Sequence, residues 1–294
     1  MSDTHPIIAV TGASGSGSSR IIDAFEHICR REQARMAVVD GDGFHRHDRE
    51  SFASFVEESA KQGKRVSHFA PESNQFDKLE ALLKEYAQNG TGQRRRYLHD
   101  EVESAKYHQP PGTFTPWEPV PEGTDLLFYQ GLHGCYVDDN YDIAKYMDLK
   151  IGVVPIVNLE WIRKIHRDIR MRGYHPADVT DTILRRLPDY VRHISPQFSR
   201  TDINFQRVPM VDTSNPFIAL DVPLDKETVV VIRVAYPERT RVDFRYLLRM
   251  IPSSFMSRRN SIVVPGDEMG YAMELIFTPL VHELLDRRRQ AQAA

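Results

Sequence analysis

The sequence has almost no cysteine: Cys29 and Cys135 are the two in 294 residues. With one bridge at most and no CxxC pair, a disulfide-built module and a zinc ribbon are excluded, and a reducing compartment with two buried thiols is expected. Long apolar runs are also missing. The best candidate, 151–157, is broken by Gly152 and Pro155, far short of the roughly 18 consecutive apolar residues of a membrane span. The first residues carry neither a basic segment nor a long apolar one; Pro6-Ile7-Ile8-Ala9-Val10-Thr11 reads directly as a buried strand. A soluble protein with a cytoplasmic address and no membrane partner is the expectation. Nor is charge of one sign in excess, since 38 Lys and Arg face 41 Asp and Glu, a formal net charge of -3. A dedicated nucleic-acid binder normally carries a strong basic surplus. Nucleic acid is therefore not an expected partner, whereas a small anion needs only a few local cations. No internal repeat, low-complexity tract or convincing linker divides the chain, so one domain over 1–294 is expected.

What the chain does contain is alternation. Apolar runs bounded by turn residues fall at 6–11, 35–40, 125–130, 149–157, 228–234 and 261–265, with amphipathic stretches between them. This is the pattern of an α/β fold. The run Lys150-Ile151-Gly152-Val153-Val154-Pro155-Ile156-Val157 lacks two-residue alternation, as expected for a strand covered on both faces of a mostly parallel sheet flanked by helices. Helices are predicted over 19–32, 76–88, 159–172, 177–192 and 268–288, with Leu79, Leu82, Leu83 and Tyr86 on one side of the second and Asn89-Gly90 as its stop. Between 89 and 124 the chain turns rich in Gly, Pro and Arg, which reads as an excursion from the core, functional or mobile.

Three segments carry candidate chemistry. Directly after the first strand comes Gly12-Ala13-Ser14-Gly15-Ser16-Gly17-Ser18-Ser19-Arg20, leading into an amphipathic stretch with Ile21, Ile22, Phe25 and Ile28. Strand, glycine-rich loop and helix form the setting of a P-loop, where backbone N–H groups and the helix dipole hold phosphate oxygens. Ser19 stands where a hydroxyl ligates Mg²⁺. Ser18 stands where the generic motif has lysine, so a plain Gly/Ser-rich turn is the competing reading. Second, the strand ending at Asp40 runs into Gly41-Asp42-Gly43-Phe44-His45-Arg46-His47-Asp48-Arg49. Residues just past strand C-termini line the ligand crevice of an open parallel sheet. Asp42 there could accept the proton of an attacking hydroxyl, and His45 and Arg49 could hold an anion; a capped turn before a solvated helix is the alternative. Third, Lys164, Arg167 and Asp168 fall at i, i+3 and i+4 of a helix, an acid among cations suited to metal or phosphoryl work. The alternative is a solvated basic helix.

The segments VTGASGSGSS, DGDGFHR, YLHD, FYQGLHG, GVVPIVNLEWIRKIHRD with Arg172-Gly173 following, PQFSRTDINFQRVP, VDTSNPF and NSIVVPG together resemble bacterial phosphoribulokinases, end to end. That family also commonly has hydroxyl residues in place of the loop lysine, as at Ser18. The resemblance implies a P-loop, nucleoside-kinase-like fold. It also implies transfer of the ATP γ-phosphoryl group to O1 of D-ribulose 5-phosphate with Mg²⁺, giving ribulose 1,5-bisphosphate. By motif position Asp42 would be the base, Asp168 would support metal and phosphoryl group, and Lys164 would neutralise developing charge. His45, Arg49, Arg167 and Arg172 would hold the sugar phosphate, with His99 and Arg186 as further candidates. A homo-octamer is implied, with NADH activating and AMP inhibiting through arginines at the positions of Arg31, Arg233 and Arg258.

The likeness breaks in three places. Gln130 stands where the family has a metal-holding glutamate, and an amide oxygen ligates without charge. Ala53 stands where a lysine is expected four residues after Arg49. After Gly173 the chain reads Tyr174-His175-Pro176-Ala177 in place of the family pattern. These departures leave three alternatives open: a kinase with weak activity or a changed acceptor, a nucleotide-responsive regulatory protein without catalysis, and a uridine-kinase-like enzyme, which the cations around His45 and Lys164 disfavour.

Overall fold

The computed structural model describes residues 2–12, 19–219 and 221–293, and of Ser19, Arg20, Met171 and Arg172 it describes the backbone alone. The strands are β1 (Ile7–Thr11), β2 (Met36–Asp40), β3 (Gln93–Arg94), β4 (Glu118–Pro119), β5 (Leu126–Gly131), β6 (Leu149–Val154), β7 (Ile203–Pro209), β8 (Thr228–Val234), β9 (Phe255–Arg258) and β10 (Ser261–Pro265). The helices are α1 (Ser19–Arg31), α2 (Arg49–Lys61), α3 (Phe76–Asn89), α4 (Glu101–Tyr107), α5 (Val157–Arg172), α6 (Pro176–Asp189), α7 (Pro237–Thr240), α8 (Phe244–Met250) and α9 (Met269–Ala293).

Eight strands form one sheet in the order β2-β5-β1-β6-β7-β8-β10-β9. The first five pair in parallel, and β8, β10 and β9 add antiparallel. Apolar side chains on alternate positions of β1 supply both faces. Ile8 and Val10 join α1 and α9, where the Phe25 ring stacks on Phe277 at 4.7 Å, and Ile7 and Ala9 join Leu79, Leu82 and Tyr86 of α3. A strand buried on both sides has no polar positions to spare, which is why β1, β5 and β6 read as largely continuous apolar runs. Each such large side chain contributes roughly 1.5–3 kcal/mol on burial. α3 stops where expected, with Gly90 at φ +69° beyond its last turn.

The expected mostly parallel, helix-flanked α/β sheet is the fold observed. Strand six ends at Val154 rather than 157, because Pro155 cannot donate to the ladder and α5 begins at Val157. α6 ends at Asp189 and passes into a π-helical turn, Tyr190–Ile194. β7 and α2 are elements that the sequence reading does not single out. Asn204 and Arg207 interrupt the apolar signal of β7, and α2 reads as charged surface. The 89–124 stretch folds back on the sheet's ligand edge. Its β3 pairs with β4, and Arg95 donates to the carbonyls of Gly43 at 2.7 Å and His45 at 2.6 Å.

Candidate active site

β2 ends at Asp40, and the next four residues, Gly41–Phe44, make a 3-10 turn. Asp40 caps it by accepting the Asp42 N–H at 3.0 Å. The turn lies against the end of β5, where a Cβ on Gly41 would come within 2.5 Å of the Tyr129 hydroxyl and 2.9 Å of the Gly131 Cα. Only glycine lets these two strand ends approach so closely. Asp42 is thereby presented at the sheet's C-terminal edge with its side chain 30% exposed. His45 Nε2 lies 3.2 Å from its Oδ1 and His99 Nε2 lies 3.3 Å from its Oδ2. Burial alone would raise the Asp42 carboxyl, but the two imidazoles bring it well below the usual carboxylate range. Burial pushes its neighbour Asp40 up to about 6, and the Asp42 charge adds to the push.

The second group stands on α5, which starts just past the C-terminal end of β6. Asp168 is buried, at 3% exposed. Lys164 Nζ bonds its Oδ2, and Arg167 Nε donates to its Oδ1 at 3.1 Å. Burial lowers the Lys164 ammonium, while the Asp168 partner acts in the opposite direction. One turn earlier on the same face, burial pushes Glu160 up to about 7, against the pull of Lys164 and Arg167.

A cleft of about 960 Å³ joins the two groups. Asp42, His45, Arg49 and His99 line one side, Lys164, Arg167, Asp168 and Arg186 the other, with Gly12 and Gln130 on its floor. Gln130, the penultimate residue of β5, is in register with Val10 on one side and Asp40 on the other. Arg49 Nη2 donates to the His99 carbonyl at 2.8 Å, tying α2 to the 89–124 segment. The predicted residues Ala13, Ser14, Gly15, Ser16, Gly17 and Ser18 lie outside the described residues, as do the side chains of Ser19, Arg20 and Arg172. Gly12 is bonded through its N–H to the Gly131 carbonyl at 3.2 Å, and α1 begins at Ser19.

Of the departures, Ala53 is exposed on α2, and His175 caps α6, its Nδ1 accepting the Ala177 N–H at 3.3 Å. Of the arginines expected at an effector site, Arg233 stands on β8 and Arg258 on β9, at the antiparallel end of the sheet, and Arg31 in the last turn of α1. Arg233 and Arg258 both register with Ser261, and Arg31 donates to Thr278 of α9 at 3.4 Å. Sequence reasoning does not single out Asp40, His68, Asn74, Arg96, Tyr97 or Glu160. Glu160 had a signal, four residues before Lys164 on one helical face. Tyr97 opens the YLHD segment, and Arg96 had only its place beside it. Arg96 lines the cleft, and among the described residues no carboxylate lies within ion-pair distance of it.

The family model for the phosphoribulokinase / uridine kinase family matches residues 7–214. The chain belongs to that family. Among its members, phosphoribulokinase from Nitrobacter vulgaris is 55% identical over 288 residues, covering 98% of this chain and 99% of the relative. The plasmid-encoded phosphoribulokinase of Cupriavidus necator is 55% identical over 292 residues, 99% of each chain. The solved structure of phosphoribulokinase from Rhodobacter spheroides superimposes with a TM-score of 0.89 at 47% identity, covering 98% of this chain and 100% of that one. The kinase family implies ATP as phosphoryl donor.

Proposed function

We infer that the protein is a phosphoribulokinase, transferring the γ-phosphoryl group of ATP to O1 of D-ribulose 5-phosphate to give ribulose 1,5-bisphosphate and ADP. The observation that carries this reading is the single cleft in which Asp42 faces the Lys164–Asp168 pair across the end of β1, together with full-length likeness to phosphoribulokinases. A carboxylate held between two imidazoles is fixed in orientation and ionised, as an acceptor for a hydroxyl proton must be. As the O1–P bond forms and the bond from phosphorus to the ADP oxygen breaks, the O1 proton passes to Asp42. Lys164 and Arg167 meet the charge that spreads over the transferring oxygens, and Asp168 keeps both cations aimed at it.

ATP supplies the phosphoryl group, held by the stretch Gly12 to Arg20. Mg²⁺ is typically bound by one or two carboxylates plus substrate phosphates, and Asp168, the Gln130 amide oxygen and the Ser19 hydroxyl are the residues assigned to it. Buried Asp168 and half-buried Gln130, both in the lining of the cleft, fit that donor set. Arg49, Arg167, Arg172, Arg186, His45 and His99 are assigned to the sugar phosphate. Regulation by NADH and AMP through Arg31, Arg233 and Arg258, assembly as a homo-octamer and a cytoplasmic address belong to the same proposal. Among the described residues no helix is long and apolar enough to cross a membrane.

A coupled assay of ADP release across ribulose 5-phosphate, unphosphorylated ribulose and uridine tests the reading. Release that requires ribulose 5-phosphate and Mg²⁺ is expected. Faster turnover of uridine or ribulose, or none with any acceptor, would reject it.

A further inference from the structure

Behind His45 lies a buried amide whose orientation is forced. Asn74 is 3% exposed, and its Nδ2 donates to the His68 carbonyl at 2.9 Å and the Ala70 carbonyl at 2.8 Å. A carboxamide has two N–H protons, and both are used. Exchanging its oxygen and nitrogen would set the amide oxygen against two carbonyl oxygens. Its Oδ1 therefore faces His45 Nδ1 at 2.9 Å. That oxygen can only accept, so Nδ1 carries a proton. A neutral imidazole has one proton, and its Nε2 would then turn a lone pair toward Asp42 Oδ1 at 3.2 Å. Two acceptors at that distance repel unless a second proton stands between them.

We propose that Asn74 is a positioning residue for phosphoryl transfer, holding His45 as an imidazolium protonated on both nitrogens so that it presents an N–H to Asp42. This rests on the reading of Asp42 as the acceptor of the hydroxyl proton. With Oδ1 pinned by His45 and Oδ2 by His99, the carboxylate cannot rotate, and its remaining lone pairs face the cleft. During transfer the hydroxyl proton moves to Asp42, and His45 keeps both of its own. The charges around His45 are mixed. Asp42 and Asp40 favour the cation against the cost of burial, while His99 and the Arg95 guanidinium on its carbonyl add positive charge, the neutral His68 ring lies 4.6 Å away, and Tyr97 meets the ring edge-on at 6.4 Å.

Neutron diffraction from crystals of the unsubstituted protein in heavy water near neutral pH decides the protonation directly. Deuterium on both His45 nitrogens is expected; its absence from either overturns the proposal. Activity supplies the second readout. Asn74→Asp keeps an acceptor for Nδ1 and adds charge while setting its second oxygen against the His68 and Ala70 carbonyls, so in the folded variant the alkaline limb of the kcat profile moves up by about one pH unit. Asn74→Ala removes the acceptor and moves it down by a similar amount. Profiles that match the parent, or that shift in the same direction, contradict the role. If Asn74→Ala does not fold, Asn74→Asp and the neutron map decide. A protein that fails to phosphorylate ribulose 5-phosphate but shows both deuterons would sink the functional reading while leaving the His45 assignment standing.

Discussion

Asp40 and Asp42 are two positions apart, yet their surroundings drive them in opposite directions, one up to about 6 and one well below the normal range. Pairs of acids pushed apart in this way divide the work of a site: Asp42 stays ionised to accept a proton, and Asp40 holds the turn that presents it. Glu160 is a third acid with a shifted pKa, at about 7. Because it is raised, Glu160 is neutral below that pH and adds a negative charge to a basic cleft above it. Binding of an anionic acceptor should therefore weaken as pH rises through 7. Glu160→Gln should lower the KM for ribulose 5-phosphate about fivefold at pH 8 and flatten its dependence between pH 6 and 8; KM measured across that range checks it. Arg96 faces the same cleft without a carboxylate partner among the described residues, which suits a phosphate contact. Arg96→Ala should raise the KM for ribulose 5-phosphate roughly tenfold with the KM for ATP little changed, and Arg96→Lys should recover part of the loss; equal rises in both constants would refute the assignment.

At the scale of elements, the site depends on how strand ends are joined. Gln197 is buried at 1% exposed and satisfied on every side. Its Oε1 accepts from Thr11 Oγ1 at 3.2 Å and Cys135 N at 3.0 Å, and its Nε2 donates to the carbonyls of Leu132 and His193, both at 2.9 Å. One amide thus ties the end of β1, the loop after β5 and the π-helical turn after α6. Gln197→Ala leaves several buried groups without partners and should destabilise the protein by ~1–3 kcal/mol, read from the denaturant midpoint; an unchanged midpoint would show that water replaces the amide. Neither Gln197 nor β7 was legible in the sequence, and for one reason. Their roles are set by contacts across the sheet, whereas periodicity reports only local burial. β1, β5 and β6 were legible because burial on both faces leaves uninterrupted apolar runs, and the edge strand β2 because its short apolar run ends in turn residues. The Asp42 turn was legible because glycines flank an acid at a strand's end. The 89–124 segment reads in the sequence as an excursion; that it carries His99 onto Asp42 depends on the Arg95 bonds and the β3–β4 pairing, which no spacing reveals.

Across the whole molecule, burial of neutral histidines couples folding to pH. His133 is 3% exposed, and burial holds it at about 3, with the Phe69 carbonyl accepting from Nε2 at 3.0 Å. His68 is lowered well below its normal value by burial and by the charge of His45. The unfolded chain takes up these protons below about 6.5 and the folded one does not until much lower. Stability should therefore fall as pH drops from about 6.5 toward 3, by up to ~1.4 kcal/mol per pH unit for each fully excluded proton. Denaturant titrations from pH 4 to 7 should show a shallower slope in His133→Gln than in the parent; parallel slopes would mean that His133 protonates without cost.

The same scale holds the central claim, that Asp42 from the β2 turn and Lys164 and Asp168 from α5 act on one substrate although more than a hundred residues separate them in the chain. The single-turnover rate of γ-phosphoryl transfer to ribulose 5-phosphate in Asp42→Asn tests it most directly. A fall of about 10²–10⁴-fold, with ATP binding retained, is the predicted result. A rate equal to the parent's would contradict the account.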